Sequence, residues 1–176
     1  MEASLLAGWD NFYVIVGSTA GGLTGLTFVV VSLTTDTQRA QPRGLKLFVT
    51  PTIVHFGTVL AIAAFLAMPH LHVVTLSCVF AVAGVAGLGY VGWIAAQIRG
   101  PEIQYVPVIE DWVFNAIVPF LVHGCLLSFA WLVWGHTQLV LYGVALVTLI
   151  LLFTGIHNAW DIAVWMAISR KSETSQ

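Results

Sequence analysis

The chain has 176 residues, 59% of them hydrophobic and only 8% charged, with a formal net charge of -2. Its mean hydropathy is +0.93. Soluble domains carry about a quarter charged residues, so this composition cannot build a water-facing surface, and without a long basic tract nothing suggests a nucleic-acid partner.

The expectation is an all-α, polytopic membrane bundle forming one domain over residues 1–176, with the lipid bilayer as its first partner. Crossing a hydrocarbon layer of about 30 Å takes about 20 helical residues. Five apolar stretches are long enough: 12–33, 47–68, 72–98, 112–134 and 139–168. The opening Met1-Glu2-Ala3-Ser4 lacks the basic region of a signal peptide, so the first stretch is expected to remain in the mature protein.

The first span contains Gly17, Gly21 and Gly25, spaced as consecutive small-xxx-small steps. Such steps let a second backbone come close, which predicts helix packing within the chain or a homo-oligomer built through span one. Thr24, Thr27 and Thr35 add a weakly polar stripe. Arg39, Arg43 and Lys46 then precede the second span, which carries Pro51-Thr52-Ile53-Val54-His55-Phe56-Gly57. The connections 68–71 and 135–138 are short enough to make hairpins of their flanking helices.

Arg99 closes the third span. The segment 100–111, with Pro101 and Pro107 among apolar residues, is expected to lie along the membrane interface, with Asp111 capping the next helix and Glu110 near its positive end. The fourth span carries Pro119-Phe120-Leu121-Val122-His123-Gly124. This run resembles the proline-to-histidine run of span two, so spans two to five read as a duplicated two-helix hairpin related by an axis along the membrane normal. Pro119 withdraws a hydrogen bond from the Asn115 carbonyl and predicts a kink.

The fifth span ends in Thr154, His157, Asn158 and Asp161, a polar stripe at helical spacing, followed by Arg170 and Lys171. With this span count all six basic residues share one side, which the positive-inside rule makes cytoplasmic. The topology is therefore N-out and C-in, in a plasma or inner membrane. Trp9, Tyr13, Trp131, Trp134 and Tyr142 mark one interface, and Trp93, Trp112 and Trp165 the other. Cys78 and Cys125 fall in apolar runs without metal spacing and read as buried free thiols.

Asp161 is the one charged residue well inside a span, and a carboxylate there must face the bundle interior or water. His55, His123 and His157 lie at comparable depth. Imidazole relays protons near neutral pH or ligates transition metals. The four residues are therefore predicted to form one intramembrane site, with Asn115 and Asn158 supporting them through hydrogen bonds. The leading expectation is a small transporter or channel for protons or a metal cation. The alternatives are a redox protein holding a transition metal or a b-type haem between His55 and His123, and an assembly subunit whose polar residues only join helices. The sequence decides neither the cofactor nor whether the protein is an enzyme, with a non-enzyme favoured. The exposed pair His70 and His72, near Asp10, reads as loop polarity more readily than as a surface metal site.

Overall fold

A computed structural model describes residue 6 and residues 8–35, 42–98 and 109–173, with side chains over 6, 8–32, 49–97 and 109–164. All regular structure among these residues is helical. The elements are α1 (Asp10–Thr35), α2 (Pro42–Leu66), α3 (Val73–Ile98), α4 (Ile109–Trp112), a π-helical segment (Val113–Ile117), α5 (Val118–Leu132) and α6 (Thr137–Glu173). The short α4, the π segment and α5 run on as one rod. Five helical rods are thus long and apolar enough to cross a membrane, and they define a multi-pass membrane protein.

Buried positions recur at helical spacing and show which face each helix turns inward. On α3 they are Leu76, Phe80, Val91 and Ile94, with Gly84 and Gly87 between them; on α1 they are Tyr13, Val16, Gly17, Ala20 and Thr27. The helix α6 is buried over more than half of its apolar length, because α1, α2 and α5 all pack against it. Around the bundle the neighbours run α2, α6, α5, α3, with a looser α2–α3 contact closing the ring, so that α2 and α5 lie on one diagonal. Between α2 and α3 an apolar groove of about 510 Å³ remains, lined by Gly57, Ala61, Ala83 and Gly87 among others. The helix α1 lies outside this ring, against α2 and α6.

Close crossings depend on missing side chains. A Cβ at Gly84 would come within 2.8 Å of Leu127 N and Cβ, so α3 and α5 meet there backbone to backbone. On α1, a Cβ at Gly17 would meet Ala63 Cβ of α2 at 3.0 Å, whereas Gly22 and Gly25 face open space. The first step of the glycine series is therefore spent within the chain. Thr24 and Thr27 donate to the Ala20 and Leu23 carbonyls of their own helix, which quiets their hydroxyls.

Several expectations need correction. Cys78 and Cys125 are exposed on the helix surfaces, not buried. Tyr13 is buried at the α1–α6 end of an aromatic cluster with Trp9 and Phe12, and Trp9 reaches Tyr142 at 4.9 Å between ring centroids. Asp111 lies within the first turn of α4, so it does not cap that helix from outside. The reading of residues 100–108, and of Arg39 and Arg99, falls outside the described residues. The two hairpin connections are as short as expected; the first turns through His70 in a left-handed conformation (φ 56).

Candidate functional site

His55 on α2 and His123 on α5 project from diagonal helices into the core of the ring, and each is 1% exposed. They lie within electrostatic reach of each other. Neither ring nitrogen of either histidine has a hydrogen-bond partner. The Ala83 backbone is beside the His123 ring, but not in hydrogen-bonding geometry. Each neutral imidazole offers one donor and one acceptor, and a buried unpaired polar group costs about 1–3 kcal/mol. Four such groups are a heavy burden for a bundle core of Phe56, Val59, Val122 and Leu126. Pro51 and Pro119 each precede their histidine by four residues, and both prolines are buried.

A second cluster forms where α4 meets the late part of α6. His157 Nε2 lies 3.1 Å from Glu110 Oε1 in hydrogen-bonding geometry. On the other side of the ring, His157 Nδ1 lies 3.1 Å from Asp161 Oδ2. That second approach is close enough for charge pairing but is not aligned as a hydrogen bond. Phe114 stacks on the imidazole with ring centroids 3.8 Å apart. The side chains are 28% exposed at His157, 63% at Glu110 and 58% at Asp161. Where such pairs face water they contribute at most about 1 kcal/mol, so there the cluster would be only a weak brace.

The π segment positions the approach between the two clusters. Pro119 has no N–H to continue the α-helical ladder, and the preceding turn widens so that Val118 N–H bonds to Val113 O five residues back. Asn115, inside this turn, is buried, and its Oδ1 accepts from Asn158 Nδ2 at 3.1 Å. Asn158 is also buried, as is Thr154 one turn before it. Thr154 donates to the Ile150 carbonyl of its own helix.

The predicted polar stripe of α6 therefore divides. Thr154 and Asn158 turn into the core, while His157 and Asp161 turn toward α4. The structure unites Asn115 with Asn158, and His157 with Asp161. Among the described residues no group of three or more His, Cys, Asp or Glu side chains is arranged to hold a metal ion, so the expected set of four appears as the separate pairs His55–His123 and His157–Asp161. Glu110 and Phe114 belong to the second pair and were not foreseen. Both meet His157 across long sequence separations, which helical spacing within one span does not show. His70, His72 and Asp10 are all exposed.

Fold and site together are those of a membrane-spanning helical bundle with a buried histidine pair and an exposed acid–histidine cluster at one end. Comparisons with protein-family models, with curated proteins and with solved structures found no match.

Proposed function

We propose that the protein conducts protons across the membrane, with His55 and His123 as the relay in its core and Glu110, His157 and Asp161 as the groups that exchange protons with water at one end. The observation that carries this reading is the pair of enclosed imidazoles whose four ring nitrogens lack partners. Residues retained only for packing would satisfy those groups or replace them with hydrocarbon. A neutral imidazole accepts a proton at one nitrogen and releases one from the other, so a histidine passes charge without leaving its seat. The buried Asn115–Asn158 bridge supplies polar groups between mouth and relay.

Purified protein in liposomes carrying a pH-sensitive dye tests this reading. An imposed gradient should collapse faster with the protein than without it. Asp161→Asn should slow the flux severalfold without stopping it, because Glu110 still serves the other nitrogen of His157. No flux from folded wild-type protein would overturn the proposal. A second reading has one observation in its favour: two unpartnered imidazoles on facing helices also suit the axial positions of a b-type haem. An absorption spectrum of gently solubilised protein separates the two, since only a haem protein has a Soret band.

The orientation belongs to the same proposal. Arg43 and Lys46 lie in the first turns of α2, and Arg170 and Lys171 in the last turns of α6, at the end that bears Glu110 and Asp161. With the positive-inside rule this end faces the cytoplasm, in a plasma or inner membrane. Single cysteines at Thr137 and Gln41, in a background lacking Cys78 and Cys125, should label from outside and inside respectively. Labelling of both from one side would overturn the five-span topology. We also read α2–α3 and the fourth and fifth spans as a duplicated hairpin, since His55 and His123 occupy matching places on one diagonal. Gly22 and Gly25, open on the outer side of α1, are where a second copy would pack.

A further inference from the structure

We infer that Gly87 of α3 is the positioning residue of the relay: its missing side chain is the seat of the His123 imidazole. This rests on the proton-relay reading and adds to it a residue that carries no titratable group. A Cβ built at Gly87 would overlap His123 Nδ1, Cε1 and Cγ. The ring therefore lies directly against the α3 backbone in the space an alanine methyl would fill. No other glycine in the described residues is met by an imidazole; at Gly143 and Gly155 the intruding rings are Phe129 and Phe56.

The seat has a chemical consequence. Ala83 stands one turn before Gly87, and its backbone is beside the same ring. A protonated imidazole has two N–H donors and no acceptor, so it needs a carbonyl nearby. With no Cβ at Gly87 the ring can approach α3 closely enough for the Ala83 carbonyl to accept from it after a small rotation. A methyl at position 87 pushes the ring away from α3 and from that carbonyl, and disturbs its approach to His55. Proton transfer is steep in distance: a misplacement of about 1 Å costs reacting groups about a hundredfold in rate.

The test compares Gly87→Ala with Gly92→Ala, whose added methyl meets open space, in the liposome flux assay. Gly92→Ala should conduct as wild type does. Gly87→Ala should fold, lose flux by about a hundredfold and shift the His123 ring-nitrogen NMR signals while leaving those of His157 in place. If Gly87→Ala folds and conducts normally, the inference is overturned while the relay reading stands. If it fails to fold, the double variant Gly87→Ala with His123→Ala decides. Recovery of folding shows that the clash is with the imidazole, as inferred; continued failure shows that Gly87 serves backbone packing instead. A wild-type protein without flux defeats the relay reading itself, and the positioning role with it.

Discussion

His123→Leu should reduce proton flux by about a hundredfold or more, the scale on which a positioned proton-transfer group acts, while leaving the thermal midpoint unchanged or higher. Leucine occupies a similar volume, so no large cavity opens. It also removes two buried nitrogens that have no partner, each costing about 1–3 kcal/mol while unpaired. His55→Leu should behave in the same way. The double variant should conduct no worse than either single one, because the two groups act in series and the loss of one already breaks the chain. The combined measurement separates function from packing. If the histidines only joined helices, leucine would lower the midpoint and any loss of flux would track the loss of fold. Wild-type flux in either folded leucine variant would remove that histidine from the relay.

Gly84→Val should be the most damaging substitution away from the relay. Its Cβ would sit 2.8 Å from Leu127 N and 2.9 Å from Leu127 Cα, and main chain cannot rotate aside as a side chain can. Overpacking a core costs about 1–3 kcal/mol where side chains can adjust; here α3 and α5 must separate, so a loss of about 3 kcal/mol or more is expected. Gly89 lies on the same helix but faces open space, and Gly89→Val should stay within about 0.5 kcal/mol of wild type. Thermal or denaturant unfolding in detergent reads both. Equal stability of the two variants would mean that α3 and α5 do not meet at Gly84.

The helical rods were legible because hydropathy alone marks a segment that can cross a bilayer, and all five have structural counterparts. Their ends shifted by a few residues: the fourth begins by Ile109, not Trp112, and the fifth continues to Glu173. Which face of each helix turns inward was much less legible. In water, an apolar residue is a sign of the core; in lipid, both sides of a helix are apolar, so the thiols of Cys78 and Cys125 gave no clue that they lie outside. Polar residues were better guides, since lipid penalises them. Thr52, His55, His123 and Asn158 are all buried in the bundle. Asn115 and Asn158 are bonded to each other, and their support of the histidines belongs to the proposal. The sequence places Asp161 well inside a span, facing the bundle interior or water, and its carboxylate is more than half exposed beside His157. The long α6 carries it toward the end of the apolar stretch, where a charge can reach water. From the sequence Glu110 is only a helix-end charge, because its bond to His157 joins residues 47 positions apart.

The widened turn at Val113–Ile117 has a consequence for the azimuth of the fourth span. It holds one residue more than an α-helix would use over the same rise, and a single residue corresponds to about 100° around the axis. Everything before the turn is thus set out of phase with everything after it. Glu110 points at His157 on this offset, while His123 keeps the phase of α5 and points at the core. Excising one residue from the turn would restore ordinary helix, leave His123 at its bearing and swing Glu110 around to another side of the span. Glu110 and the histidine pair would then be out of alignment, with every one of their side chains still present.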